Sequence, residues 1–287
     1  FVKPSIELLI PQFRAHTENL IAEFFRHDDL EVGQHLSLPL VMKNLGVIYN
    51  RPQDVDEWIS WGPDVWTAET DERDGKVLHR YLDAIYAEAL TKSSDDIWSQ
   101  IAYLEIEGQQ VSEAEFRGIA GVMLAGGRDT VVKLFTGIMW HFGHKSEDLE
   151  LLRSNPELIA PAIQEFLRFL SPLPAMNRTI VPESSTIDLP DDRYVGMSFI
   201  SGNFDETVYT NPFEIDFNRG RNPHLSFGFG PHTCLGNHII EVEARVFLEV
   251  ILNSGLNWKV TSEDVRYHQV PYAKVPDHFG SVRIART

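Results

Sequence analysis

The sequence predicts a mainly α-helical domain with a small β region. Apolar residues recur at helical spacing through most of the first half, strand-like runs gather in the second half, and one long central segment contains no proline. Pro4 and Ser5 open an amphipathic stretch reaching about Arg26, with Ile6, Leu9, Ile10, Phe13, Leu20, Ile21 and Phe24 on one face. Further helices are expected over Leu38 to Tyr49, from near Asp54 to Trp61, and over Lys76 to Thr91. Ser112-x-x-Glu115 is a capping-box pattern. It opens a segment from Glu113 to about His144 that, as one continuous helix, is about 48 Å long. Asn155-Pro156 starts the next helix, which ends at Ser171-Pro172. Strand-like pieces follow at Ala175–Val181, Ser185–Leu189 and Tyr194–Ile200. A last helix runs from about Gly236 to Leu252, and the tail alternates short strands and turns. No repeat, low-complexity tract or linker interrupts the chain, so residues 1–287 read as one domain.

Composition sets limits. The chain has 25 Lys and Arg against 42 Asp and Glu, a formal net charge of −17. Such an acidic surface is unsuited to general nucleic-acid binding and repels acidic partners at long range. Hydrophobic content of 43% and charged content of 23% are those of a soluble globular protein. There is no signal peptide and no apolar run long enough to span a bilayer, which makes a cytoplasmic location the expectation. The single cysteine excludes an intramolecular disulfide.

That cysteine is the most informative residue. Residues 227–236 read Phe-Gly-Phe-Gly-Pro-His-Thr-Cys-Leu-Gly. Gly228 and Gly230 permit positive φ and close backbone approach, and Gly236 lets the following helix pack tightly. A loop of this kind suits one thiolate presented to a metal-centred cofactor, with backbone N–H groups tuning the sulfur; the residues alone equally allow a buried structural cysteine in a turn. Phe227, Gly230, Cys234 and Gly236 fill the pattern Phe-x-x-Gly-x-x-x-Cys-x-Gly, and here the chain resembles the cytochrome P450 family of haem-thiolate monooxygenases.

The resemblance extends to two further patterns in the family's order. Gly126, Gly127, Asp129 and Thr130 match the Ala/Gly-Gly-x-Asp/Glu-Thr segment that lies over the distal haem face, although Val131 stands where the family often has a second hydroxyl. The resemblance implies catalytic roles for Thr130, whose hydroxyl positions a water, and Asp129, which relays protons. Two adjacent glycines weaken a helix by roughly 1 kcal/mol each relative to alanine, a cost that close packing on a flat ligand explains and that a helix kink or a break between two helices also explains. Glu165 and Arg168 share one helical face, like the family's buried Glu-x-x-Arg pair, with Arg219 as the expected third member. Arg178 and His232 match positions that bind haem propionates.

What the resemblance implies is a P450 fold lacking its N-terminal helices, because Phe1-Val-Lys-Pro4 looks like the segment after the family's third major helix. It implies haem b held by Cys234, with Phe227, Gly230, His232, Gly236, Arg178, Gly126 and Gly127 around it. Val122, Met123, Ala125, Leu173, Ala175 and Met176 are expected to line a pocket for a hydrophobic small molecule. No flavin or nicotinamide motif is visible, so electrons are expected from an external ferredoxin- or flavodoxin-type donor and its reductase. A peroxide-driven peroxygenase of the same fold and a non-catalytic haem-binding remnant are the alternatives; the Asp129-Thr130 pair argues against the first. Two departures from the family bear on this. Asn203-Phe204-Asp205-Glu206 replaces a usual Asn-Arg-Asp-Pro, and Glu241 stands where bacterial members carry an Arg that donors contact.

Weaker signals favour structural roles. His141-x-x-His144 near Glu147 reads as helix-end histidines rather than a metal site. Trp58, Trp61 and Trp66 read as core residues, and the sequon at Asn177 is incidental in a cytosolic chain.

Overall fold

The N-terminal apolar stripe folds as helices α1 (Lys3–Glu7) and α2 (Ile10–Phe24), which bury Ile6, Phe13, Leu20, Ile21 and Phe24. In this computed structural model the described residues are 3–27, 30–61, 75–92, 96–179, 194–270 and 273–287. Trp66 and the expected strand Ser185–Leu189 lie outside them.

Helix α3 (Leu38–Ile48) follows a π-helical turn at Gly33–Ser37, and α4 (Val55–Ser60) buries Trp58. Trp58 and Trp61 both meet the Tyr81 ring edge-on, at 6.0 and 5.2 Å between centroids. Helix α5 (Lys76–Thr91) is as expected. A short helix, α6 (Ile97–Ala102), was not anticipated; its signal is Asp96, whose carboxylate caps Ser99 N–H at 2.8 Å. Nor was the small hairpin of β2 (Glu105–Ile106) and β3 (Gln109–Gln110), which follows the two-residue strand β1 (Leu30–Glu31) in the chain. Its turn puts Glu107 and Gly108 at positive φ, the Xaa-Gly chemistry of a two-residue hairpin.

The long central helix is two helices, not one. Helix α7 (Glu113–Gly126) starts at a complete capping box on Ser112 and Glu115, and α8 (Asp129–His144) begins after Gly127-Arg128. Each half is about 21–24 Å long, so neither spans the length a continuous helix would. The break is physically supported: Tyr49 Oη donates to Met123 O at 2.8 Å, and Thr130 Oγ1 donates to Gly126 O at 3.0 Å. The Thr130 hydroxyl satisfies a carbonyl at the helix end, while Met123 O accepts from Gly127 N–H at 3.3 Å as well as from Tyr49.

Helix α8 is the axis of the core. Phe135 stacks on Phe247 at 4.3 Å between centroids, and Gly137 lets Leu170 approach so closely that an added Cβ would lie 2.6 Å from it. Helices α9 (Ser146–Ser154) and α10 (Ile159–Leu170) pack beside it. Strands β4 (Ala175–Thr179) and β5 (Tyr194–Ser198) pair antiparallel, with Asn177 opposite Gly196. Expected strand character ends at Ser198, which caps the short helix α11 (Phe199–Asn203) through Ser201 N–H. Helix α12 (Asn237–Asn253) leads into β6 (Trp258–Tyr267) and β7 (Pro276–Arg286), which pair antiparallel and form the sheet β1-β7-β6. No helix among the described residues is long and apolar enough to cross a membrane.

Candidate functional site

The Cys234 loop is held by its own backbone. Gly228 and Gly230 take φ of 68° and 69°, and a Cβ at Gly228 would sit 3.2 Å from His232 O. Cys234 N–H returns to Phe227 O at 2.8 Å, and Thr233 N–H to Gly230 O at 3.0 Å, closing the loop across a 3₁₀ turn at Gly230–His232. The thiol is half-buried. Burial pushes its pKa up, while the N–H groups of Gly236 and Asn237 at the sulfur pull it down. On either side Phe229 and Leu235 are 86% and 78% exposed. An isolated thiol between two bare apolar side chains, with hydrogen-bond donors behind the sulfur, is a donor set that fits a flat, apolar, thiolate-ligated group such as haem.

The loop is anchored to α10. Glu165 and Arg168 are fully buried; Arg168 Nε and Nη2 donate to the two Glu165 oxygens at 2.9 and 2.8 Å. Arg219 Nε reaches the same carboxylate at 3.0 and 3.1 Å, joined by Asn222 Nδ2 at 2.9 Å and Asp216 N–H at 3.0 Å. Burial alone would raise the pKa of Glu165, but these donors, Arg168 first, hold it below the usual carboxylate range. Arg168 also satisfies the carbonyls of Asn203, Pro212 and Glu214. Phe204, the departure from the family's Asn-Arg-Asp-Pro, lies under the Arg168 guanidinium at 5.3 Å, opposite Tyr209 at 5.1 Å.

Sequence reasoning missed Asn203 as an anchor. It is fully buried; Nδ2 donates to Ser171 Oγ and Ser226 Oγ, both at 2.9 Å, and Oδ1 accepts from Leu225 N–H at 2.6 Å. Ser226 Oγ in turn donates to Leu167 O at 2.6 Å. The loop therefore starts from a position fixed by α10 and α11. The sequence signal is Asn203 itself, which with Asp205 is one of the two positions of its motif that match the family.

At the break between α7 and α8, the two glycines differ. An added Cβ at Gly127 would lie 3.0 Å from Leu45 on α3, whereas nothing lies within 4 Å of one at Gly126. The Leu45 side chain crowds position 127, and position 126 faces open space. Asp129 pairs with Arg128, and the Thr130 hydroxyl is donated back to Gly126. Val122 is 73% exposed, Met123, Ala125 and Leu173 are half-buried, and Ala175 and Met176 are exposed on β4. The expected propionate ligands stand apart in the chain: Arg178 is half-buried on β4 and donates to Asn177 O at 3.0 Å, and His232 is exposed in the loop. Tyr49 links the two halves of the site. Burial, then Glu243, then Cys234 raise its pKa, while its hydroxyl holds Met123 O on α7.

His141 and His144 take separate acids, Asp148 and Glu263, each at 2.7 Å. The described residues contain no group of His, Cys, Asp and Glu able to hold a metal ion by itself.

The Cytochrome P450 family model matches residues 122–266, just over half of the chain and the span that holds the α7–α8 break, the Glu165–Arg168 pair and Cys234. The chain belongs to the cytochrome P450 family. Among curated P450 relatives, Cyclomarin C epoxidase CymV of Salinispora arenicola is 27% identical over 99% of this chain and 75% of its own length. Steroid C26-monooxygenase of Mycolicibacterium smegmatis is 28% identical over 77% of this chain and 58% of its own. The chain thus spans between about half and three quarters of the length of such relatives. Solved P450 structures share the fold. A carbohydrate-active P450 superposes with a TM-score of 0.82 at 26% identity, over 96% of this chain and 73% of the other. A mutant of P450 EryK superposes with a TM-score of 0.85 at 24% identity, over the whole of this chain and 76% of the other.

Proposed function

We propose that this chain bears the haem of a monooxygenase that inserts one oxygen atom from dioxygen into a hydrophobic small molecule. The observation that carries the reading is Cys234, presented by a rigid glycine loop with two N–H groups at its sulfur. The names of the relatives, an epoxidase and a steroid monooxygenase, support the reaction class. Bound haem b supplies a thiolate-ligated iron at which dioxygen is reduced and its O–O bond cleaved.

Every other role falls to the protein. Cys234 ligates, and the Gly236 and Asn237 N–H groups moderate how much electron density the sulfur gives. Phe227, Gly230 and Gly236 shape the loop, and Arg178 and His232 receive carboxylates at the cofactor rim. Thr130 Oγ1, now turned to Gly126 O, is the hydroxyl that holds a water by rotating inward, and Gly126 leaves room for it. Asp129, now on Arg128, passes protons from solvent to that water. Val122, Met123, Ala125, Leu173, Ala175 and Met176 contact the substrate and keep water out.

Electrons come from a separate ferredoxin- or flavodoxin-type protein with its reductase. Glu241, at the start of α12, accepts from Gln164 Nε2 at 3.0 Å and stands 3.6 Å from His238. A carboxylate there favours a donor with a basic docking face. The test is turnover of a panel of hydrophobic probes with a surrogate donor under isotopically labelled dioxygen. One labelled atom per product molecule supports the reading, and products carrying only solvent oxygen contradict it.

A further inference from the structure

Lys133 lies one turn beyond Thr130 on α8, so the two share a helical side. Its ammonium sits where three walls converge. It donates to Ser171 O at 3.2 Å, at the end of α10 and two residues before Leu173; α8 itself forms the second wall, and the β6–β7 hairpin is the third side, where Arg266, His268 and Asp277 act on the ammonium electrostatically. Ser171 is a non-glycine residue at φ 39°, held by its own hydroxyl on Arg168 O at 2.8 Å, so its carbonyl is fixed in place.

The charges there do not balance. Asp277 is the acid nearest the ammonium, yet its Oδ2 takes Arg266 Nε at 2.7 Å and its Oδ1 faces His268 Nε2 at 3.3 Å. Asp129, four residues before Lys133 and in pairing register with it, is engaged by Arg128. An ammonium has three donors, and the structure gives this one a single carbonyl. Burial consistently pulls its pKa down to about 8, with Asp277 opposing and Arg266 reinforcing the shift. A half-buried ammonium with spare donors is a site where an anion can complete the hydrogen bonding.

We propose that Lys133 determines specificity by binding a carboxylate on the substrate. The inference rests on the monooxygenase reading above and refines it: the substrate is an apolar body ending in an anionic group. The body lies along α7 and β4, and the anion fixes which carbon faces the cofactor. A helix-end clamp on Ser171 is the competing role for the same side chain.

The experiment titrates the haem-loaded protein by calorimetry with dodecanoate and with its neutral counterpart, dodecan-1-ol. The unaltered protein should prefer dodecanoate. Lys133→Met should weaken dodecanoate roughly ten- to a hundredfold while leaving dodecan-1-ol within about twofold, and Lys133→Arg should keep most of the preference. Equal affinity for the two probes in the unaltered protein, or parallel loss of both in Lys133→Met, overturns the proposal; the parallel loss identifies a clamp only. The absorption of the reduced carbonyl complex is recorded on the same samples. A normal band without charge preference sinks the role of Lys133 alone. A missing band with the preference intact sinks the cofactor reading instead.

Discussion

Asn44 Nδ2 donates to Glu243 Oε1 at 2.9 Å, a buried hydrogen bond that ties α3 to α12, the helix following Cys234. His16 Nδ1 faces the other end of the same amide, 3.0 Å from Asn44 Oδ1. A single neutral donor does not offset the desolvation of a carboxylate, so burial raises the Glu243 pKa from 4.5 to about 7.

The sign of the consequence is definite. Below pH 4.5 the group is protonated in both folded and unfolded chains and costs nothing. As pH rises toward 7 the unfolded chain releases its proton first, so stability falls, by on the order of 3 kcal/mol in total. Glu243→Gln keeps the acceptor and removes the titration. It should melt like the unaltered protein at pH 4.5 and several degrees higher at pH 8. A melting difference that does not change with pH contradicts this account.

The Glu165 network carries the opposite dependence. Its lowered pKa contributes stability that is present above the unfolded value and lost as pH falls through the folded one. Arg168→Met leaves Glu165 short of its main partner and uncovers the carbonyls of Asn203, Pro212 and Glu214. The expected loss is about 3–5 kcal/mol in urea unfolding. A loss below about 1 kcal/mol would mean that Arg219 and Asn222 suffice to hold the carboxylate.

Gly126 faces open space and Gly127 faces Leu45. Gly127→Ala meets Leu45 and should lower stability by about 1–3 kcal/mol. Gly126→Ala meets nothing and should raise stability by up to about 1 kcal/mol in the haem-free chain. The same change should weaken haem retention, read as faster transfer to a haem-scavenging protein. Equal effects of the two substitutions would remove the distinction.

Thr130 and Asp129 make different predictions for turnover. Thr130→Ala frees Gly126 O and removes the hydroxyl that positions water; reductant should still be consumed, with peroxide released in place of product. Asp129→Asn leaves the hydroxyl and slows proton supply, so the rate of reductant consumption itself should fall. Unchanged rate and coupling in both variants would reduce the pair to helix-end packing.

Local chemistry made much of this legible. The Cys234 loop, the capping box at Ser112 and the register of Glu165 with Arg168 are short-range patterns, and residues a turn or a loop apart report on one another. The two adjacent glycines leave a break open, but periodicity does not decide it, because two helices in line have the same apolar pattern as one. At the break Tyr49, far away in sequence, donates to the Met123 carbonyl, which Gly127 N–H also reaches. The contact of Leu45 with Gly127 and the bond of Asn44 to Glu243 are likewise long-range, so no spacing in the sequence announces them. Asn203 was visible only as a residue inside an imperfect motif; its three hydrogen bonds arise from folding α10, α11 and the loop together. No sequence pattern singles out Lys133; its surroundings come from the end of α10 and the terminal hairpin, both distant in the chain.

The most direct test concerns Cys234. The protein is reconstituted with haem, reduced and exposed to carbon monoxide, and its absorption is compared with that of Cys234→Ala. The thiolate should give the unaltered protein a strongly red-shifted band that the variant lacks, even where the variant still takes up haem. The same red-shifted band in Cys234→Ala would contradict the assignment of this sulfur as the axial ligand, and with it the function built on the loop.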